Sequence, residues 1–167
     1  FHISREGFYK GNVCLQIFAI FNDGAKEKNI VLKGLEQMEC FHRMLDEWED
    51  TQLLDAQNIA RVGKDAVLYT IIAIEGAETI GGSIKAMHAF RRLGLRVITL
   101  TWNHENEVGF PAIQGSKQGL KPFGKELIQQ MNAYGIAVDV SHLNVTGFWD
   151  AVETSQKPIM ASHSNAI

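Results

Sequence analysis

Short runs of strand-forming apolar residues recur along this chain, separated by segments whose apolar residues step by three and four. That alternation constrains the fold more than any other feature. Val13–Phe21 (VCLQIFAIF), Val67–Ile74 (VLYTIIAI), Arg96–Thr101 (RVITLT), Ile136–Val140 and Pro158–Ala161 are the strand candidates. Val67–Ile74 is apolar almost throughout, as a strand covered on both faces must be. Lys26–Trp48 places Val31, Leu35, Met38, Phe41, Leu45 and Trp48 on one helical stripe. Leu120–Tyr134 does the same with Leu120, Phe123, Leu127, Met131 and Tyr134, and Gly135 stops it. Ser83 can cap a helix over Ile84–Leu93 that Gly94 ends, and Asn144 can cap another that runs through Val152. The polar, glycine-containing stretch Trp102–Gly119 reads as a long loop. Strands alternating with helices predict a parallel sheet in an α/β protein. A doubly wound sheet and a (β/α)8 barrel both satisfy the pattern.

Length narrows this choice. The chain has 167 residues and no linker-like or repeated stretch, which suits a single domain. A (β/α)8 barrel takes about 250 residues, so this chain would hold part of one.

The polar residues that close each strand carry the chemistry. Val67–Ile74 runs into Glu75-Gly76, Arg96–Thr101 into Trp102-Asn103-His104-Glu105, Ile136–Val140 into Ser141-His142, and Pro158–Ala161 into Ser162-His163. In a parallel barrel the C-terminal strand ends converge on one face, where barrel enzymes place their sites. A carboxylate and imidazoles suit a divalent metal such as Zn²⁺. Two such ions would hold a hydroxide and polarise a carbonyl, as amide hydrolysis requires. Asp139, three residues before His142, is placed either to hold a loop or to orient an imidazole. Ser162 and Ser164 lack a His-Asp pattern and read as hydrogen-bonding residues rather than nucleophiles. Glu105 and Glu107 read as loop residues facing water. His42 and His88 fall inside helices, where packing or surface roles are expected, and His2 is too near the chain end to inform. Gly76–Gly82 is glycine-rich but has neither the spacing nor the lysine of a phosphate-binding loop.

Composition excludes other classes. The net charge is −3 and no basic block could neutralise a run of phosphates, so nucleic acid is not an expected partner. No apolar run is long enough for a membrane span. The first residues, Phe-His-Ile-Ser-Arg-Glu, do not form a signal peptide, and a cytoplasmic location is the expectation. They include no initiator methionine, so an upstream segment is expected. Cys14 and Cys40 form no metal-finger pair and read as two buried thiols.

Four stretches carry a resemblance. They are IEG at 74–76, LGLRVITLTWNHENEVG at 93–109, QGLKPFGKELIQQMNAYGIAVDVSHL at 118–143 and KPIMASHSNA at 157–166. Together they resemble the membrane dipeptidase family (renal dipeptidase, peptidase family M19), in a form similar to its bacterial branch. The resemblance implies an α/β fold that is a partial (β/α)8 TIM barrel of the metallo-dependent hydrolase type. Residues 1–167 would be one domain, the central part of the barrel without its first strand and its last strands. It implies a zinc-dependent dipeptidase using two Zn²⁺ ions and a metal-bridged hydroxide. Glu75 would be the bridging carboxylate, and His142 and His163 would bind the second metal. The first metal's His-x-Asp pair would precede this chain, since His2-Ile3-Ser4 does not match it. A proton-handling aspartate and a carboxylate-gripping arginine would follow Ile167. The family's substrate-contacting histidine aligns with Trp102, and His104, two positions on, is the candidate to replace it. The expected substrate is a dipeptide, with a D-residue at the C-terminal position tolerated, and a homodimer is left open. A non-catalytic barrel relative, or an inactive fragment that binds a ligand or partner, is the alternative. On this reading residues 1–167 in isolation would be inactive.

Overall fold

The computed structural model describes residues 3–24 and 26–165; His2 lies outside them. Among the described residues six strands form one parallel sheet: β1 (Leu15–Phe21), β2 (Thr51–Leu53), β3 (Leu68–Glu75), β4 (Leu95–Thr99), β5 (Ala137–Asp139) and β6 (Ile159–Met160). Five α-helices among the same residues accompany them: α1 (Arg5–Lys10), α2 (Ile30–Glu47), α3 (Ile84–Arg92), α4 (Pro122–Tyr134) and α5 (Val145–Thr154). The sheet order is β1-β3-β4-β5-β6. The far edge of β3 is shared, with β2 beside its first half and β4 beside its second. Parallel strands joined by helices, with every C-terminal strand end on one rim, make up a partial (β/α)8 barrel.

Register decides what each face carries. Ile20, Ile74, Ile98, Val138 and Ile159 are successive partners across five strands. This apolar row faces the helices, and Ile74, Ile98 and Val138 have no exposed surface. Burying side chains of this size contributes about 1.5–3 kcal/mol each. Because side chains alternate along a strand, the next row lies on the opposite, concave face. It reads Phe21, Glu75, Thr99, Asp139 and Met160. One residue of slip would exchange the two rows and bury the carboxylates among the helices.

Several expected elements form with shifted ends. α2 begins at Ile30 rather than Lys26, because residues after Asp23 close a separate turn in which Lys26 N–H donates to the Asp23 carbonyl at 2.9 Å. Its buried positions are Gly34, Met38 and Phe41, whereas the expected face residue Leu35 is exposed. The helix is rotated so that Gly34 sits against Thr79 and Phe90, where an added Cβ would lie 2.6 Å from Thr79 Cγ2. Ser83 and Asn144 cap α3 and α5 as the sequence predicts, accepting from Ala86 N–H and Gly147 N–H. Gly135 ends α4 with φ 64°. α1 and β2, with six and three residues, are too short to show a period. The two thiols are free, but neither is fully buried as expected: Cys14 is half-buried and Cys40 is exposed. Cys40 lies on α2 beside the Arg43 guanidinium, since the helix turns Met38 and Phe41 inward instead. Among the described residues no helix is long and apolar enough to cross a membrane.

Candidate metal centre

The row that carries Glu75 ends at the rim, and two further strands bring imidazoles to it. Glu75 is the last residue of β3. His142 follows β5 and His163 follows β6, one strand and two strands beyond β4. His142 Nε2 and His163 Nε2 lie 2.7 Å apart, and Glu75 Oε1 is 3.3 Å from the first and 3.4 Å from the second. One ligand atom from each residue lies within 4.8 Å of the others, and all three side chains keep some exposure. A tetrahedral zinc with bonds of about 2.0–2.1 Å spaces its ligand atoms about 3.3 Å apart. The two carboxylate–imidazole separations match that spacing, while the two imidazole nitrogens stand closer, at hydrogen-bond distance. One carboxylate and two imidazoles are also a donor set that zinc accepts. The three residues therefore form a candidate metal-binding cluster.

The backbone at His142 is held in an uncommon conformation. Its φ is 65°, a region that non-glycine residues seldom adopt. Its carbonyl accepts from Ala112 N–H at 2.7 Å, and the next residue, Leu143, pairs with Pro111. The long loop after β4 thus braces the turn that aims His142. In sequence that loop is only a polar stretch, and its bracing role left no signal there.

Beneath the two histidines lies Asp139, almost wholly buried at the end of β5. Its carboxylate accepts from five donors: Thr99 Oγ1 at 2.8 Å, Ser141 N–H and Oγ at 3.0 and 2.8 Å, and Ser162 N–H and Oγ at 3.1 and 2.5 Å. Burial pushes the Asp139 carboxyl up, but the hydrogen bonds from Ser162, Ser141 and Thr99 prevail and hold it below its ordinary value. Asp139 thereby fastens the β5 and β6 turns together. Thr99 was not singled out from sequence; its place beside Asp139 in one register row is the signal that locates it.

His104 lies outside the three-residue cluster. Its Nε2 is 3.5 Å from Asp23 Oδ1, and its ring packs edge-on against Trp102. Trp102 in turn packs on Phe21 at the end of β1. His104 lines a cavity of about 360 Å³ together with Gly24, Glu78, Glu105, Asn106, Glu107 and Gln114. Glu78 was not foreseen. It is buried in a turn just after β3, Oε2 accepts from Asn106 Nδ2 at 2.8 Å, and Oε1 has no hydrogen-bond partner among the described residues. Burial, the largest influence, raises its pKa although the Asn106 hydrogen bond lowers it. Gly76, with φ 87°, makes the turn possible, and an added Cβ there would lie 2.5 Å from Glu78 Oε1. Glu105 pairs with Lys121 at 2.6 Å, and Glu107 is exposed as expected. His42 and His88 lie on helices, the first 2.7 Å from the Leu93 carbonyl and the second stacked on Tyr134.

A partial parallel barrel with a carboxylate and two imidazoles at the C-terminal strand ends defines a metallo-dependent hydrolase architecture. The model of one family, membrane dipeptidase (peptidase family M19), matches residues 1–167, and the chain belongs to that family. The crystal structure of the dipeptidase AC, a metallo peptidase of family M19, superimposes with a TM-score of 0.87 at 26% identity, covering 96% of this chain and 53% of that one. A metallo peptidase from Rhodobacter sphaeroides, liganded with a phosphinate mimic of the dipeptide L-Ala-D-Ala, shares the fold with a TM-score of 0.82 at 23% identity, covering 98% of this chain and 56% of that one. An uncharacterized protein in the pqqA 5′ region of Klebsiella pneumoniae is 38% identical over 119 residues, 68% of this chain and 44% of that protein. The dipeptidase tcpJ of Claviceps purpurea is 27% identical over 135 residues, 78% of this chain and 32% of that protein. The chain thus spans about half the length of these solved structures and less than half of the curated relatives.

Proposed function

We propose that the complete protein is a zinc-dependent dipeptidase, that residues 1–167 form the central part of its barrel, and that Glu75, His142 and His163 are metal ligands in a two-zinc site. The observation that carries this reading is the convergence of one carboxylate and two imidazole nitrogens within 4.8 Å on the rim of a family M19 fold. Glu75 has a second carboxylate oxygen, so it can serve two ions while the histidines serve one. When bound, the metals supply Lewis acidity toward the peptide carbonyl and a water acidified enough to attack it. The protein's part is to hold the ligands in place and to position the substrate. His142 and His163 present Nε2 to one point, and the Ala112–His142 hydrogen bond keeps the first of them there.

The substrate is proposed to be a dipeptide, including one with a C-terminal D-residue. That finer choice is supported by the L-Ala-D-Ala mimic bound to the Rhodobacter sphaeroides protein. His104 is assigned as a substrate contact because it lines the acidic cavity beside the rim.

The test is zinc content and L-Ala-D-Ala hydrolysis by the full-length protein and its His142→Ala and His163→Ala variants. Each variant is expected to lose bound zinc and to lower kcat/KM by more than the ~10–100-fold typical of a group that only supports a ligand. Full zinc occupancy with unchanged turnover in both variants would refute the ligand assignment.

A further inference from the structure

The two serines beneath the histidines each have one proton to give, and the geometry fixes where both go. Ser162 Oγ is 2.5 Å from Asp139 Oδ2 and 2.7 Å from His163 Nδ1. Asp139, hydrogen-bonded as a carboxylate by five donors, can only accept. The Ser162 proton therefore points to Asp139, and the hydroxyl turns a lone pair toward His163. Only a protonated Nδ1 can complete that contact. Ser141 follows the same rule: its hydroxyl donates to Asp139 at 2.8 Å and accepts from His163 N–H at 3.1 Å. Asp139 thus controls both the backbone and the ring of His163 without touching either.

We propose that Asp139 is a positioning residue that, through Ser162, places the His163 ring proton on Nδ1 and leaves Nε2 as the lone-pair atom facing Glu75 and His142. Neutral imidazole has one donor and one acceptor nitrogen, and a metal takes only the acceptor. The opposite tautomer would turn an N–H toward the cluster and block it. Thr99 completes the arrangement. Its hydroxyl donates to Oδ2 from the neighbouring strand, so the carboxylate cannot rotate to release Ser162. The inference rests on the reading of His163 as a ligand, but the tautomer is a property of this chain's own residues and can be measured without metal.

The experiment uses the full-length protein with Ser162→Ala, Ser162→Thr and Asp139→Asn. Long-range ¹H–¹⁵N NMR of the metal-free protein, with the imidazole neutral, reports which His163 nitrogen carries hydrogen. Competition with a chelator reports zinc affinity. The wild type is expected to show Nδ1–H alone. Ser162→Ala is expected to admit the Nε2–H form and to weaken zinc by about 10–100-fold, as losing a partner behind a ligand does. Ser162→Thr, which keeps the hydroxyl, is expected to restore both readings. Asp139→Asn offers an N–H where a carboxylate oxygen stood, so Ser162 reverses and His163 becomes Nε2–H. An Nδ1–H tautomer unmoved by Ser162→Ala, or zinc affinity unchanged in that variant, overturns the proposal. If Asp139→Asn does not fold, the two Ser162 variants decide alone. If the tautomer responds as stated but the wild type binds no zinc, the relay stands and the metal reading fails.

Discussion

Two buried carboxylates stand at the same rim of the sheet, one behind β5 and one after β3, and they are treated in opposite ways. Asp139 has five donors and is held ionised. Among the described residues Glu78 has a single side-chain donor, Asn106, on one oxygen and no partner on the other, and burial pushes its pKa up. Their exposures, 1% and 7%, are too similar to account for the difference. What differs is the supply of N–H and O–H groups. Asp139 lies where two strand ends and their turns meet, so backbone and hydroxyl donors surround it. Glu78 is folded back over Gly76, beside the acidic Glu107, where Asn106 is its one side-chain donor among the described residues. Burial sets the cost of a charge, and the number of donors decides whether the cost is met.

The sharpest way to break the contrast is to remove the satisfied carboxylate. Asp139→Ala leaves the Ser141 and Ser162 amides and three hydroxyls without their acceptor. An unsatisfied buried donor costs about 1–3 kcal/mol; Ser162 reaches water, but the donors of Thr99 and Ser141 are buried, so a loss of about 3 kcal/mol is expected. The urea midpoint of the variant measures it. A loss below 1 kcal/mol would mean that water replaces the carboxylate and that the five bonds contribute little to stability.

A smaller effect is expected from Asn106→Ala, on the Glu78 side. Asn106 donates to Glu78 and to the Leu100 carbonyl, and accepts from Val108 and Gly109 N–H. Its removal should cost about 2 kcal/mol, partly because the loop loses an internal brace and partly because Glu78 loses its donor. Pairing the change with Glu78→Ala, which removes the acceptor altogether, separates the two parts in a double-mutant cycle. Strictly additive losses would show that Asn106 serves the loop alone.

The sequence made the Asp139 side far more legible than the Glu78 side. The strand-end pattern put Glu75, His142 and His163 among its candidates, together with His104 and Glu105, because strand ends in a parallel sheet share a rim, and the family resemblance chose among them. Asp139 was visible as a polar residue inside a strand pattern, with its two roles unresolved; the structure brings the serines and Thr99 onto it. Glu78 depends on a positive-φ glycine and on a loop that folds back, neither of which has a period. Asn106 sat in a polar stretch that reads as solvent-facing, yet it is 9% exposed. The turned face of α2 was missed for a related reason: the contact is made by Gly34, a residue with no side chain to mark it. Periodicity shows which faces are apolar, whereas close approach and donor supply arise only when distant segments meet.

The smallest expected effect, and the one that tests the contrast most directly, is a difference in sign with pH. Asp139 has a folded-state pKa below its unfolded value, so the stability it contributes is present above the unfolded pKa of about 3.9 and is lost as pH falls through the folded pKa. Glu78 runs the other way. Its folded-state pKa is above the unfolded value of about 4.3, so between the two the folded protein binds more protons, and stability declines as pH rises. Glu78→Gln cannot ionise, and it keeps an oxygen for Asn106 to donate to. Its stability should therefore lack the decline above pH ~4.3, giving a gain on the wild type at neutral pH that disappears in acid, with a size of about 1 kcal/mol or less. Denaturant midpoints from weakly acidic to neutral pH check it. The acid limb below pH ~3.9 should be the same in both proteins, because it belongs to Asp139 and the other carboxylates with lowered pKa. A wild type and variant that run parallel across the whole range would show that Glu78 ionises in the folded protein as freely as in the unfolded one. The two carboxylates would then differ in their hydrogen bonds but not in their charge.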